Sequence, residues 1–232
     1  MKTIGIIGGM SWESSVEYYR IINELVRDSL GGLHSAPSVM VSVDFGPVEE
    51  MMQIGRWDLV LVELEAAARQ VEAGGADLLL IATNTMHKLF DEVQAAVEIP
   101  LIHIADAAAV EIQQQGLKKV GLLGTAFTME EDFYAGRLGE KFGLEVLVPD
   151  EEERAEVNRV IFEELVVGKV LAESKAYYQQ VIEGLVGRGA QGVILGCTEI
   201  PLLVKPGDAP VPLFDTTFLH AQAAVERAAG SR

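Results

Sequence analysis

Short apolar runs that end at glycine or proline alternate along the chain with longer stretches whose apolar residues recur at helical spacing. Several runs are apolar without alternation, which is typical of strands in a parallel sheet covered on both faces. The alternation of strands and helices predicts an α/β fold with short parallel sheets. The predicted strands are Thr3–Ile7, Val39–Phe45, Asp77–Ala82, Leu101–Ile104, Lys119–Leu123, Leu144–Val148, Gln191–Leu195 and Val211–Phe214.

Helical periodicity and capping patterns predict where the intervening helices lie. The stretch from Asp58 to Gly74 reads as one helix that glycine ends. The sequence Thr-Met-Glu-Glu at 128–131 has the pattern of a capping box before another helix. The acidic run 150–153 is interpreted as a solvated helix start, where carboxylates favour the helix dipole. A first helix, with Ser11 as its candidate cap, has an apolar stripe of Val16, Tyr19, Ile22 and Val26.

Three segments of the chain repeat in the same order at nearly the same offset. Gly75–Thr85 aligns without gaps on Gly189–Glu199, an offset of 189 − 75 = 114. The other two pairs are Ile4–Gly8 with Val120–Gly124 and Ile99–Leu101 with Val211–Leu213. Such agreement indicates an internal duplication rather than the shared composition of strand ends.

The repeat predicts two homologous α/β lobes. We place the first lobe at residues 1–105 and the second at 106–214, with the break near 105–116. A C-terminal helix, 215–232, is expected to pack back on the first lobe. Ligands of parallel sheets bind beyond the carboxyl ends of the strands, so a pseudo-twofold between the lobes would place the site between them.

Composition and charge exclude several classes of partner. The 232 residues are 49% apolar and therefore suffice for a large core. The formal charge of −17, from 18 Lys+Arg and 35 Asp+Glu, repels polyphosphate and anionic lipid. Nucleic acid and membrane surfaces are consequently not expected as partners.

Cysteine and histidine usage restricts the chemistry further. One cysteine excludes intramolecular disulfides and a multi-cysteine metal site, and four scattered histidines show no metal-ligand spacing. The N-terminal apolar run is too short for a signal peptide, and no stretch is long enough to span a membrane. We therefore expect a cytoplasmic protein without a bound metal.

The repeat places Thr83 and Cys197 at equivalent strand ends, one in each lobe. A lone cysteine after an apolar run is often only a small buried hydrophobe. Cys197, however, stands between Gly196 and a polar pair, and a thiol at the start of a turn can serve as a base or nucleophile. The candidate donors for a carboxylate are Asn84, Thr85, Thr125 and Thr198, with the Gly8-Gly9-Met10-Ser11 segment beside them.

Other residues keep two interpretations at this stage. His87 either reaches the site from the next turn or is a hydrogen-bonded histidine on a helix face, and His103 and Asp106 are ambiguous in the same way. The Gly5-x-x-Gly8-Gly9 pattern lacks the complete dinucleotide-binding motif, so a carboxylate-binding loop is preferred to a nucleotide site.

At these residues the whole chain resembles the cofactor-independent aspartate/glutamate racemase family. The resemblance implies two similar α/β domains in a homodimer, with an amino-acid substrate between the domains and no cofactor. Two cysteines of the family face opposite sides of the substrate Cα, so that one removes the proton and the other returns one. The motifs that carry the resemblance are Gly8-Gly9-Met10, Asn84-Thr85-x-His87, Phe162-Glu163-Glu164-Leu165 and Gly196-Cys197-Thr198-Glu199.

The chain departs from the family pattern at two places. Thr83 replaces the first cysteine, as in the subgroup similar to L-aspartate/glutamate-specific racemases. The segment 47–53, interpreted as a loop, has no arginine for a side-chain carboxylate. Arg56 or Lys169 could compensate, although nothing in the sequence places either at the site. Two kinds of substrate are therefore expected: an acidic amino acid, aspartate or glutamate, or a neutral amino acid similar to homoserine.

The resemblance implies a role for each candidate residue. Cys197 is the base for the α-proton, and Thr83 lies on the opposite face as a weak donor or as the anchor of a proton-relaying water. The substrate carboxylate and ammonium would be held by Met10, Ser11, Asn84, Thr85, Thr125, Thr198 and Glu199. The alternatives are a single-cysteine decarboxylase of malonate-type substrates and a non-catalytic amino-acid-binding protein.

Overall fold

The computed structural model describes residues 1–230, and it divides into two compact units. The first unit comprises Met1–His103 together with the chain from His220 onward, and the second comprises Ile104–Leu219. Helix α11, Thr216–Ala229, begins in the second unit and continues into the first. Among the described residues, no helix is both long and apolar enough to cross a membrane.

The first unit contains a three-stranded parallel sheet of order β2-β1-β3. Its strands are β1 (Ile4–Gly8), β2 (Ser38–Ser42) and β3 (Leu78–Ile81). Leu101 joins this sheet only through an isolated parallel bridge to Leu79, so the predicted strand 101–104 is wrong. The helices are α1 (Trp12–Leu30), α2 (Phe45–Gln53), α3 (Trp57–Ala73) and α4 (Phe90–Ala95), with a 3₁₀ turn at Thr85–Leu89.

The second unit contains a four-stranded parallel sheet of order β5-β4-β6-β7. Its strands are β4 (Lys119–Gly124), β5 (Glu145–Leu147), β6 (Val193–Gly196) and β7 (Leu213–Asp215). Its helices are α5 (Ile104–Gln114), α6 (Ala126–Glu130), α7 (Asp132–Phe142), α8 (Glu151–Glu163), α9 (Ala172–Gly187) and α10 (Ile200–Leu203), with a 3₁₀ turn at Leu165–Val167.

The two sheets share one topology, which confirms the predicted α/β fold with two short parallel sheets. In each unit the first strand lies at the centre, paired with the second strand on one side and the third on the other. The repeated segments therefore fall on equivalent elements, β1 with β4 and β3 with β6. The bridge at Leu101 occupies the place that β7 takes beside β6.

The apolar stripe predicted for α1 is only half correct. Ile22 and Val26 are buried, but Val16 and Tyr19 are 53% and 55% exposed. The buried face instead includes Tyr18 and the polar residues Ser14 and Ser15, which local hydrogen bonds allow to be buried. This face packs in one cluster with Ile4, Ile6, Leu78 and Leu80 of the sheet and with Ala221 and Ala224 of α11.

Three capping predictions have different outcomes. Gly74 follows α3 as its C-cap, as predicted. Thr128 does not cap a helix, because the helix begins earlier, where the Thr125 side chain accepts from the backbone N–H of Thr128. The acidic run contains a capping box, in which Asp150 and Glu153 accept from each other's backbone N–H groups at the start of α8.

Two buried tyrosines of the second unit provide a matched stability test. The Tyr178 hydroxyl donates to the Val157 carbonyl at 2.8 Å, whereas the fully buried Tyr134 hydroxyl has no hydrogen-bond partner within residues 1–230. Tyr178→Phe should lower the free energy of unfolding by about 1 kcal/mol, because it removes a buried hydrogen bond. Tyr134→Phe should leave that free energy unchanged or raise it. Urea unfolding of both variants measures the difference, and equal losses would contradict it.

Candidate active site

The turn after β1 carries the first candidate residues, Met10 and Ser11, both of which are buried. Ser11 is the N-cap of α1, although its side chain makes no capping hydrogen bond. The turn is held by Ser15, whose hydroxyl accepts from the Gly9 N–H at 2.8 Å and donates to the Ser11 carbonyl at 3.1 Å. Sequence reasoning missed Ser15; the only signal is a serine pair at 14–15, on the face where an amphipathic helix would bury apolar residues.

Gly9 can only be glycine in this turn. Its φ of +96° lies in the region that L side chains rarely adopt. A Cβ at this position would also collide with the backbone of Val43, which follows β2. The turn after β1 is therefore packed directly against the chain that follows the neighbouring strand, where the Val43 N–H donates to the Gly8 carbonyl.

The turn after β3 carries Thr83, Asn84 and Thr85. Because β1 and β3 are paired and parallel, this turn and the one at Met10 lie at the same edge of the sheet. Asn84 and Thr85 are buried, and Thr83 is half-buried. The Thr83 N–H donates to the Ile81 carbonyl at 2.8 Å, so the chain turns sharply as the strand ends.

In the second unit, Thr125 follows β4 and the Cys197-Thr198-Glu199 segment follows β6. These two strands are paired through Gly124 and Gly196, so both turns lie at one edge of that sheet. The Thr125 side chain caps α6 and lies 3.1 Å from the Thr128 hydroxyl. The structure thus gives this predicted donor contacts within its own turn.

Cys197, Thr198 and Glu199 form a buried hydrogen-bonded group. The Cys197 Sγ donates to Glu199 Oε2 at 2.9 Å, and the Thr198 hydroxyl donates to the same oxygen at 3.0 Å. All three residues are buried, with Cys197 only 6% exposed. A carboxylate that accepts from a thiol is placed to take the thiol's proton.

Burial raises the pKa of the Cys197 thiol well above its usual range, and the negative charge of Glu199 raises that pKa further. The hydrogen bond to Glu199 acts in the same direction, because it stabilises the protonated thiol. Without a substrate, Cys197 therefore rests as a thiol rather than as a thiolate.

Glu199→Gln should lower the pKa of the Cys197 thiol, because the substitution removes the neighbouring negative charge while burial remains. Thiolate absorbance in the ultraviolet during a pH titration measures this pKa. The chain has one cysteine, so Cys197→Ser is the blank for tyrosine ionisation. Thiolate that forms at the same or a higher pH in the variant would show that the charge of Glu199 does not control the thiol.

Asp106 and His103, each of which has two interpretations from the sequence, both contact other side chains in the structure. Asp106 lies on α5, where Arg137 binds it through contacts of 2.6 and 2.8 Å and Lys141 through one of 2.6 Å. Burial alone would raise the pKa of Asp106, but these two cations outweigh it and the pKa is lowered. His103 is buried in the first unit, with its ring centroid 4.7 Å from those of both His87 and Phe90.

One residue of the Phe162–Leu165 motif, Glu164, forms hydrogen bonds that connect neighbouring helices. The buried Glu164 accepts from Arg159 at 2.9 Å and from the Ser174 hydroxyl at 2.5 Å, and so joins α8 to α9. Within residues 1–230, no group of three or more His, Cys, Asp or Glu side chains is placed to hold a metal ion.

The α2 helix corrects the prediction of a loop at 47–53, since α2 runs from Phe45 to Gln53. The Asp44 side chain caps this helix by accepting from the Gly46 N–H. Arg56, one of the two alternative cations, donates to Asp58 through contacts of 2.8 and 2.7 Å at the start of α3. This arginine is therefore engaged by a carboxylate of its own segment.

Two parallel sheets flanked by helices, with polar turns at the ends of paired strands, make this an α/β protein. Comparison with known proteins gives its family. The family model for Asp/Glu/hydantoin racemases matches residues 7–224. The chain therefore belongs to that family. A broad-specificity amino-acid racemase, RacX of Bacillus subtilis, is 24% identical over 96% of both chains.

Two solved structures are more similar. A candidate Asp/Glu racemase from Yersinia pestis is 52% identical, with a TM-score of 0.92 over 99% of this chain and 100% of that one. An aspartate racemase homologue from Pyrococcus horikoshii is 41% identical, with a TM-score of 0.85 over 99% of this chain and 100% of that one. The chain is accordingly a racemase of the Asp/Glu type, which is an isomerase.

Proposed function

We propose that this racemase acts without a cofactor on an L-amino acid, with Cys197 as the base for the α-proton and Thr83 on the opposite face. The observation that carries the proposal is the hydrogen bond from the buried Cys197 thiol to the Glu199 carboxylate. It pairs a nucleophilic atom with a proton acceptor in a turn beyond a central strand.

The proposed proton transfers involve Cys197, Glu199 and one water. Glu199 accepts the thiol proton, and the thiolate then removes the α-proton, which leaves a carbanion stabilised by the substrate carboxylate. A water anchored by Thr83 protonates the opposite face, and the hydroxide that remains is neutralised through solvent by the proton that Glu199 releases. A bound substrate ammonium would favour the thiolate, because a nearby positive charge lowers a thiol pKa.

The α-carbon proton is weakly acidic, so donors to the substrate carboxylate must supply much of the stabilisation. We assign this binding role to the polar groups of the four turns described above. They are Met10, Ser11, Asn84, Thr85, Thr125 and Thr198, while Glu199, as a carboxylate, accepts from the substrate ammonium until it takes the thiol proton.

The substrate side chain is either neutral or a carboxylate, and the surroundings of α2 bear on the choice. Helix α2 has Glu49 and Glu50 but no cation, and Arg56 is bound to Asp58. These features favour a neutral side chain over a carboxylate, because a buried carboxylate without a cation is costly. The name of the P. horikoshii relative points to aspartate, and that of RacX to broad specificity.

The experiment is a screen of neutral and acidic L-amino acids for α-proton exchange in deuterated water, followed by NMR, with chiral chromatography for the D-product. Exchange that depends on Cys197 supports the proposal. Carbon dioxide release from a substituted malonate without amino-acid exchange would instead support the decarboxylase. Amino-acid affinity that survives Cys197→Ala, with no exchange in either protein, would indicate a binding protein.

We also propose a cytoplasmic homodimer that has neither nucleic acid nor membrane as a partner. The charge of −17 supports the absence of polyanionic partners. Light scattering of the purified chain measures its mass, and a monomer at the concentration of the assay would contradict the dimer.

A further inference from the structure

His87 makes two hydrogen bonds to the turn that contains Thr83. Its backbone N–H donates to the Asn84 carbonyl at 3.0 Å, and its ring Nδ1 lies 2.8 Å from the Thr83 carbonyl oxygen. One residue therefore binds the carbonyl groups of two successive residues that follow β3.

The partner of Nδ1 determines which ring nitrogen carries a proton. A carbonyl oxygen can only accept, so Nδ1 must be protonated and must be the donor. The ring is held in this orientation by packing as well. His87 is 2% exposed, and its centroid lies 4.7 Å from that of His103, 5.6 Å from that of His220 and 6.2 Å from that of Phe90, on which it stacks.

The peptide groups on both sides of Thr83 are thereby bonded. The Thr83 N–H donates to the Ile81 carbonyl, and the Thr83 carbonyl accepts from the His87 ring. The Ala82 N–H also donates to the Ile7 carbonyl, which joins the preceding residue to β1. A backbone held at both ends fixes the direction in which the Thr83 Cβ leaves the chain.

We infer that His87 is a positioning residue for Thr83 and sets the efficiency of proton delivery on the Thr83 face. The inference rests on the proposed function, because it assigns His87 to one face of that reaction. His87 would affect inversion to the D-isomer but not the L-face exchange performed by Cys197. A residue that only supported folding would affect both processes alike.

Two matched variants separate the hydrogen bond from the packing. The amide nitrogen of asparagine can take the place of Nδ1, whereas that of glutamine takes the place of Nε2. His87→Asn and His87→Gln both lose the ring, and only the first can donate to Thr83. Thermal unfolding of both variants measures the shared loss of packing.

We expect His87→Gln to lower the ratio of inversion to L-face exchange roughly fivefold, equivalent to about 1 kcal/mol. His87→Asn should keep that ratio within about twofold of the wild type, which is rescue by the variant that retains the donor. Equal ratios in the two variants, or exchange and inversion that fall in proportion, would overturn the inference.

A second measurement does not depend on activity. Nitrogen NMR of the histidine rings should show His87 protonated at Nδ1, and a neutral ring protonated only at Nε2 would overturn the inference. The wild type separates the two ways of failing. If the proposed function is wrong, the wild type will exchange no α-proton, whichever nitrogen of His87 is protonated.

Discussion

Cys197→Ser should abolish α-proton exchange, with a loss of at least roughly a thousandfold in rate, equivalent to about 4 kcal/mol. Serine can keep a hydrogen bond to Glu199, but its hydroxyl is a far weaker acid than a thiol. Its anion is therefore almost unpopulated at neutral pH, even with a carboxylate beside it. Deuterium incorporation into the L-substrate measures the loss.

Substrate affinity provides the control for this variant. Binding measured by calorimetry should remain near the wild-type value, because the proposed contacts to the carboxylate and ammonium do not include the sulfur. Cys197→Ala should be as inactive as the serine variant, since neither can form a thiolate. Exchange within about tenfold of the wild type in either variant would assign the base to another residue.

The strands were predictable because their signal is local and repeated. For each apolar run that forms a ladder of several residues, the predicted bounds lie within a few positions of the observed strand, as for β1 and β4. The run at Leu101 is also mostly apolar, but it forms a single bridge with Leu79. The length of a ladder depends on how many residues of two segments remain adjacent, and the composition of one segment does not predict that.

The errors on α1 and α6 have a common cause. Ser15 is buried because its hydroxyl binds Gly9 and Ser11, and the backbone turn that provides these partners has no apolar signature. Thr125 takes the capping role expected of Thr128 because β4 ends at Gly124. In both cases a side-chain hydrogen bond to a turn overrides a pattern read from the helix alone.

The candidate residues were located by the repeat, but their contacts were not. The spacing of Cys197 and Glu199 does not imply that the thiol donates to the carboxylate, because that contact depends on the turn after β6. The contact of the His87 ring with the Thr83 carbonyl likewise depends on the buried turn and is not implied by the spacing of the two residues. Sequence identifies residue types at strand ends, and the turn geometry decides which atoms meet.

In the proposed reaction Thr83 lies on the face opposite Cys197, and reversibility limits what a threonine can do there. Enantiomers have equal free energy in water, so kcat/KM must be the same in both directions for any racemase. Thr83 therefore cannot make racemisation one-way, but it can separate deprotonation from inversion. Cys197 would take the α-proton of the L-isomer and usually return one to the same face, because the threonine face donates poorly.

The wild type should consequently incorporate deuterium into recovered L-substrate several times faster than it forms D-product. Thr83→Cys should raise the inversion rate at least about tenfold while changing L-face exchange much less, because it supplies a second thiol acid. Thr83→Ser is the matched control, since it differs from the cysteine variant only by oxygen in place of sulfur. NMR and chiral chromatography in deuterated water measure the two rates.

The double variant Thr83→Cys with Cys197→Ser tests the assignment of the two faces. With its only thiol at position 83, the enzyme should exchange the α-proton of the D-isomer and lose exchange of the L-isomer. This reversal follows because each thiol can reach only the proton on its own face of Cα. Exchange that stays on the L-isomer, or inversion in Thr83→Cys no faster than in Thr83→Ser, would show that residue 83 does not face the substrate.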